Sequence, residues 1–126
     1  MIKKVAFFAH PTRDLPRAKS FYSEVLGLKV TAEYAEFWLE VETPDGATLA
    51  LDTFSPKSSD HPTPYLALET DDIEAEVARL REAGTVIAKE IWTNQGEDGR
   101  VICKMAIAID PEGNPLMLHE IAPDRA

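Results

Sequence analysis

An internal repeat limits the folds open to this chain. Residues 43–52, TPDGATLALD, align with residues 110–119, DPEGNPLMLH, and in each segment a Pro-acid-Gly turn introduces an alternating run. Alternating side chains point to opposite faces of a sheet. One half alone would leave the apolar face of its sheet exposed, and pairing the halves buries both faces. The pattern therefore predicts two similar modules within one domain.

Each half also contains one amphipathic helix. Residues 14–27 begin with Asp14, which can accept the first free amide hydrogens, and end with Gly27, which can adopt a left-handed conformation. Residues 71–84 repeat this design, with Asp at the start and Gly84 at the end. The two apolar stripes are Ala18, Phe21, Tyr22, Val25 and Leu26 in the first helix, and Ile73, Val77 and Leu80 in the second.

Strand-like runs precede both helices, VAFFAH at 5–10 and PYLALET at 64–70, and further strand candidates follow each helix. Each half is therefore predicted to have the order βαβββ, and the 126 residues are predicted to form a single domain. The predicted parts are module 1 over about residues 1–54, a linker rich in Pro and Ser over about 55–63, and module 2 over about 64–122.

Charge, hydropathy and cysteine content limit the partners and the location that we expect for this chain. Thirteen Lys and Arg against twenty-two Asp and Glu give a formal charge of −9, which repels nucleic acid and anionic lipid. The N-terminal segment lacks the long apolar region of a signal peptide, and no apolar run is long enough to span a membrane. Cys103 is the only cysteine, so an internal disulfide is impossible. We expect a soluble cytoplasmic protein.

Two segments carry a resemblance to a known family. D-L-x-x-A-x-x-F-Y-x-x-V-L-G-L at 14–28 and D-P-E-G-N at 110–114 resemble the signature segments of the vicinal oxygen chelate superfamily, which includes glyoxalases, bleomycin-resistance proteins and dioxygenases. The resemblance covers nearly the whole chain. It implies an α+β fold in which two tandem βαβββ modules form a curved mixed sheet, or cup, with helices outside and a ligand inside. It also implies a homodimer.

The resemblance further implies where a metal ion would be held. Metal-dependent members place four ligands, usually His, Glu or Gln, on the first and last strands of each module. Counting from the signature segments puts these positions at Phe7, Ala50, Tyr65 and Met117. Phenyl and methyl groups cannot bind a metal, and a thioether or a neutral phenol is a poor ligand for hard divalent ions. We therefore expect no metal and no cofactor.

The remaining candidates are Cys103 and His119. Strand alternation and the family pattern put Cys103 on the same face as Met105 and Ile107, where it could meet His119. A thiol beside an imidazole can be a nucleophile, although a single Cys in an apolar strand is more often an inert core residue. The predicted ligand-binding cup comprises Phe7, Ala50, Tyr65, Cys103, Met105, Ile107, Met117 and His119, with Cys103 and His119 as the catalytic candidates.

Two further features qualify this picture. The run from Cys103 to His119, C-x-M-A-x-x-x-D-P-x-G-N-x-x-x-L-H, resembles a metal-free and functionally uncharacterised branch of the superfamily. Trp92 precedes a polar stretch, TNQGEDG at 93–99, that is predicted to form a loop.

Three functional hypotheses follow. The first is a metal-free protein that binds a small organic ligand in an apolar cup, with its negative charge favouring a cationic ligand. The second is a lyase, isomerase or dioxygenase that uses a divalent metal through an altered ligand set drawn from His10, Asp52 and His119. The third is a subunit or partner-binding module whose cup has become solid core.

Overall fold

The structure is a computed structural model that describes residue 1 and residues 5–53 and 65–125. The chain divides into two compact units, residues 1–63 and 64–126. The predicted linker at about 55–63 lies outside the described residues. None of the described helices has the length and apolar character needed to cross a bilayer.

The first unit is a βαβββ module with a four-stranded mixed sheet. Its strands occur in the order β1-β4-β3-β2, with β1 parallel to β4 and the other pairs antiparallel. The strands are β1 (Phe8–Pro11), β2 (Lys29–Tyr34), β3 (Trp38–Glu42) and β4 (Thr48–Asp52), and helix α1 (Leu15–Lys19) continues as a π-helical segment (Ser20–Val25) between β1 and β2.

The second unit has the same topology. Its sheet has the order β5-β8-β7-β6, and β5 is parallel to β8. The strands are β5 (Leu66–Glu69), β6 (Val86–Gln95), β7 (Val101–Ile109) and β8 (Pro115–Ile121), with helix α2 (Ile73–Glu82) between β5 and β6 and a 3-10 turn (Pro123–Arg125) after β8. The predicted α+β fold of two βαβββ modules is confirmed.

The two sheets repeat the same register. Ala50 of β4 lies opposite Ala9 of the parallel neighbour β1, and Met117 of β8 lies opposite Ala67 of β5. The turns before β4 and β8 also correspond, because the amide of the turn glycine donates to the carbonyl of the residue three positions earlier in each case. This agreement confirms the repeat that the sequence indicated.

The first helix begins as the sequence predicted but does not continue as a regular α-helix. The carboxylate of Asp14 accepts the amide hydrogen of Arg17 at 3.1 Å, and Gly27 has a φ of 73° at the end of the helix. From Ser20 onward the turns widen, and the amide of Leu26 donates to the carbonyl of Phe21 at 2.9 Å. The predicted stripe is buried at Ala18, Phe21 and Tyr22 and half-buried at Val25 and Leu26.

Helix α2 confirms its predicted stripe completely, since Ile73, Val77 and Leu80 are all buried. Its cap is Asp72, whose carboxylate accepts the amide hydrogen of Ala75 at 3.1 Å. Helix α2 packs on one face of the second sheet, to which β7 and β8 contribute the buried Ala106, Ala108, Leu116 and Leu118.

The predicted loop at 93–99 is shorter than expected. Strand β6 extends to Gln95, so Thr93 and Asn94 pair with β7 and the connection is a tight turn over residues 96–100. The amide of Gly96 donates to the carbonyl of Arg100 at 2.9 Å and closes this turn. Cross-strand pairing therefore outweighs the polar character of these residues.

Candidate functional site

The second sheet has a face turned away from α2, which we call the distal face. Lys104 lies on the face that packs against α2, because its ammonium group pairs with Glu74 of that helix. Its neighbours along the strand, Cys103 and Met105, therefore lie on the distal face. Register and alternation place on the distal face Lys89, Trp92 and Asn94 of β6, Cys103, Met105 and Ile107 of β7, Met117, His119 and Ile121 of β8, and Ala67 and Glu69 of β5.

Five of the predicted cup residues therefore share one face of one sheet. Ile107 lies directly opposite Met117, and Met105 lies directly opposite His119 in the β7–β8 pairing. Cys103, on the same strand as Met105, is opposite Ile121. Cys103 is buried at 5% exposure, and the other four are half-buried.

A single row of residues crosses the distal face from one edge of the sheet to the other. Trp92 lies opposite Met105, Met105 opposite His119, and His119 opposite Glu69. Neighbouring strands are about 4.8 Å apart, so Trp92 and His119 are separated by roughly 10 Å at the backbone with Met105 between them.

Glu69 and His119 form a carboxylate–imidazole pair at one end of the row. Oε1 of Glu69 is 2.5 Å from Nδ1 of His119, and Oε2 accepts the amide hydrogen of Ile121 at 2.8 Å. The second bond fixes the carboxylate, and a carboxylate orients an imidazole by accepting from one ring nitrogen. The His119 side chain is 25% exposed and that of Glu69 is 52% exposed, so solvent reaches the pair.

A polar chain of contacts lies at the other end. Nε1 of Trp92 donates to Oδ1 of Asn94 at 3.2 Å, and Nδ2 of Asn94 is 3.4 Å from Sγ of Cys103. The ammonium group of Lys89 lies 4.1 Å from the centre of the Trp92 ring, in a cation–π contact. The Trp92 ring is thus held in place by Asn94 and Lys89.

Cys103 and His119 share the distal face, but no hydrogen bond joins them among the described residues. Sγ of Cys103 contacts Asn94, and Nδ1 of His119 contacts Glu69. Each catalytic candidate therefore has a partner of its own. Their joint action as nucleophile and base stays a prediction.

The other predicted cup residues are Tyr65 in the second unit and Ala50 and Phe7 in the first. Tyr65 precedes β5 and is 53% exposed. Ala50 is fully buried in β4, and Phe7 precedes β1 with its ring edge-on to that of Trp38 at 5.3 Å between centroids. Trp38 lies opposite Asp52 in the β3–β4 pairing, and Ala50 is two residues before Asp52 on β4. Strand alternation therefore places Trp38 and Ala50 on the same face of the first sheet.

The alternative metal set requires a correction. His10 is buried on the helix side of the first sheet, where its Nδ1 is 2.9 Å from the hydroxyl oxygen of Tyr22. His10 pairs with Leu51, so alternation puts the next residue, Asp52, on the opposite face. His10 and Asp52 therefore do not present ligand atoms to one ion, contrary to the altered ligand set considered from the sequence.

The residues at the four family metal positions do not fit a metal ion. Register places Ala50 and Met117 at corresponding points of the last strands, where a methyl group and a thioether replace the usual oxygen or nitrogen donors. Phe7 and Tyr65 hold the corresponding points before the first strands. A hard divalent ion needs several oxygen or nitrogen donors, and this set offers one phenol oxygen.

The sequence pattern missed Glu69, Asn94 and Lys89 as members of this face. Glu69 was hidden because its partner His119 is 50 residues away in the chain. Lys89 was hidden because a register shift between Lys89 and Trp92 brings both to one face.

Comparison with known proteins identifies the family of the chain. The sequence model of the glyoxalase/bleomycin resistance protein/dioxygenase superfamily matches residues 4–118. No functionally curated protein matches the chain.

Solved structures extend the comparison to the fold. TnmS3, an antibiotic binding protein from Streptomyces sp. CB03234, has 29% identity and a TM-score of 0.73, with 96% of this chain and 98% of TnmS3 covered. A glyoxalase family protein from Enterococcus faecalis has 26% identity and a TM-score of 0.73, covering 94% and 98%. A lactoylglutathione lyase from Agrobacterium tumefaciens shares the fold at 16% identity, with a TM-score of 0.69 and 95% of each chain covered. The chain belongs to the glyoxalase/bleomycin resistance protein/dioxygenase superfamily.

Proposed function

We propose that this chain binds a small organic ligand, without the family metal ion, on the distal face of the second sheet. The observation that carries the proposal is the convergence of Met105, Ile107, Met117 and His119 on the face turned away from α2, next to Trp92. These side chains come from three adjacent strands.

The chemistry of this face suits a small molecule. Ligand sites are largely apolar and contain a few fixed polar groups that orient the ligand. Met105 and Met117 offer flexible, polarisable surface, and Trp92 offers a broad flat one. Asn94 and His119 are polar and are already held by partners, so ordering them on binding costs little entropy.

The relatives also support a binding role. TnmS3 is an antibiotic binding protein and shares 29% identity with this chain over nearly the full length of both. The substitution of Ala50 and Met117 for oxygen or nitrogen donors supports a metal-independent mode, because a thioether and a methyl group do not hold hard divalent ions.

A two-part experiment tests the proposal. A library of small neutral, anionic and cationic organic compounds is screened by thermal shift, since a ligand that binds the native state must stabilise it. Compounds that raise the melting temperature are then titrated by calorimetry against wild type and two variants, Ile107→Glu and Ala78→Glu. Ile107→Glu places a charge on the distal face, and Ala78→Glu places the same charge on the exposed surface of α2.

The expected result is dose-dependent stabilisation by at least one class of compound, with affinity at least about tenfold lower for Ile107→Glu, which is about 1.4 kcal/mol. Ala78→Glu should bind like wild type. The proposal is wrong if no compound stabilises the protein, and the assignment to the distal face is wrong if the two variants lose affinity equally. Calorimetry repeated with added manganese, nickel or zinc should give unchanged affinities.

A further inference from the structure

The pairing of Glu69 with His119 fixes which nitrogen of the imidazole meets a ligand. A carboxylate can only accept a hydrogen bond, so the contact between Oε1 and Nδ1 places a proton on Nδ1. Nε2 of His119 has no hydrogen-bond partner among the described residues. In the neutral imidazole this nitrogen is an acceptor, and the His119 side chain is partly exposed on the distal face.

The local charge of the distal face differs from the net charge of the chain. The chain carries −9 overall, but the distal face carries the ammonium group of Lys89, which rests on the ring of Trp92. The carboxylate of Glu69 is engaged by His119 and by the amide of Ile121. An aromatic ring over Met105 would therefore have a cation near one edge and a proton acceptor near the other.

We propose that the ligand carries an acidic aromatic hydroxyl group and transfers its proton to Nε2 of His119 on binding. The O–H bond of the ligand breaks, its electron pair stays on the oxygen, and an N–H bond forms on the imidazole. The product is a phenolate beside an imidazolium. Glu69 stabilises the imidazolium as a positioning residue.

Other acidic groups fit less well. A carboxylic acid is already ionised near neutral pH, so it has no proton to give to a neutral imidazole. An aliphatic alcohol is too weak an acid. A phenol has an ordinary pKa of about 10, and electron-withdrawing substituents bring that pKa toward the imidazole value of about 6.5. This inference rests on the proposed function, because it assigns a chemical class to the ligand of the same face.

The test uses 4-nitrophenol and its methyl ether, 4-nitroanisole, as matched probes. Only ionised nitrophenol absorbs strongly in the visible range, so absorbance reports proton transfer directly. In a buffer below the pKa of free nitrophenol, the protein should increase the phenolate absorbance saturably. We expect 4-nitroanisole to bind at least tenfold more weakly, since it has no proton to transfer.

Three variants separate proton transfer from simple structural support. His119→Gln should abolish the absorbance change. Glu69→Gln should reduce it at least fivefold, and Glu69→Asp should restore part of it. Glu74→Gln is the matched control, because it removes the carboxylate of another ion pair on this sheet, on the side facing α2, and should leave the absorbance change unaltered.

Nitrogen NMR of the His119 ring supplies a readout that a purely structural role would not change. In the neutral side chain of wild type the proton should lie on Nδ1, and in Glu69→Gln it should redistribute toward Nε2. Nitrophenol binding should add the second proton. Melting temperatures of all variants confirm that they are folded.

Two outcomes overturn the inference. If nitrophenol and nitroanisole bind equally without ionisation, ligand binding stands but the hydroxyl preference is wrong. If neither probe binds, the hydroxyl assignment is also wrong, and the compound screen decides separately whether this face binds any small molecule.

Discussion

Asp52 and His119 occupy equivalent positions in the two sheets, yet their surroundings differ. Asp52 lies opposite Trp38 in the first sheet, and His119 lies opposite Met105 in the second. Asp52 is 2% exposed, whereas the side chain of His119 is 25% exposed and paired with Glu69. The repeat thus keeps one position in both modules but buries it in the first and leaves it accessible in the second.

This difference predicts unequal effects on stability. No buried polar side-chain atom among the described residues lacks a hydrogen-bond partner, so Asp52→Ala should leave partners of the carboxylate unpaired. We expect it to lower the free energy of unfolding by about 2 to 3 kcal/mol, and His119→Ala by less than about 1 kcal/mol. Urea denaturation of both variants measures the two losses. Equal losses would contradict the structural role given to Asp52.

The contact between His10 and Tyr22 predicts a second effect. Tyr22→Phe removes a hydroxyl group that lies 2.9 Å from Nδ1 of His10, in a place where both residues are buried. The free energy of unfolding should fall by about 1 kcal/mol, the usual net value of one buried hydrogen bond. Tyr34→Phe serves as the control, because Tyr34 is 57% exposed. A similar loss in both variants would argue against the buried bond.

The carboxylate of Asp110 joins the residues of the DPEGN turn at 110–114 by hydrogen bonds. This buried carboxylate accepts hydrogen bonds from the amides of Glu112 and Asn114 at 2.9 and 2.7 Å, and from Nδ2 of Asn114 at 2.8 Å. Asp110→Ala should therefore cost about 3 kcal/mol, at about 1 kcal/mol per bond.

Asp98→Ala is the comparison for this prediction, since Asp98 accepts one amide bond, from Arg100, in an exposed turn. Chemical denaturation should show a loss below about 1 kcal/mol for this variant. If Asp110→Ala lowered the free energy of unfolding by no more than Asp98→Ala, the hydrogen bonds of Asp110 would not be what stabilises this turn.

The turn before β4 in the first module should make the stability of the protein depend on pH through Asp45. The hydroxyl of Thr43 donates to the carboxylate of Asp45, and this bond, with a contribution from the amide of Ala47, holds the pKa of Asp45 below its ordinary value. The stabilisation is present above the pKa of the unfolded state and is lost as the pH falls through the folded-state pKa.

Thr43→Val should therefore raise the pKa of Asp45, and the stability difference from wild type should narrow as the solution is made strongly acidic. Carboxyl NMR titration follows the pKa, and thermal unfolding at neutral and acidic pH follows the stability. A gap between the two proteins that widens on acidification would show that the sign is wrong.

Local features of the fold were predictable from the sequence. Asp14 and Gly27 bound the first helix, and the turn residues around Asp45 and Asp110 mark the repeated hairpins, because capping and turn formation depend on residues a few positions apart. Strand alternation also predicted that Cys103, Met105 and Ile107 share a face, as the register confirms.

Features that depend on distant pairing were not predictable in the same way. Glu69 reaches His119 only through the parallel pairing of β5 with β8. His10 contacts Tyr22 of the π-helical segment, and a strand of only four residues has too short an alternation to predict which face its side chains occupy. The widened turns after Ser20 have no clear sequence marker. Membership of a metal-free branch, the homodimer and the cytoplasmic location stay predictions.

The central claim is that a small molecule, and not a metal ion, occupies the distal face of the second sheet. The three methionines of the chain suit a direct measurement by NMR of ¹³C-labelled methyl groups, because Met105 and Met117 lie on that face and the exposed Met1 is an internal reference. Compounds from the screen should shift the signals of Met105 and Met117 and leave Met1 unchanged, while stoichiometric Mn²⁺ should leave all three sharp. Broadening of Met117 by Mn²⁺, or ligand binding that moves neither Met105 nor Met117, would contradict the account.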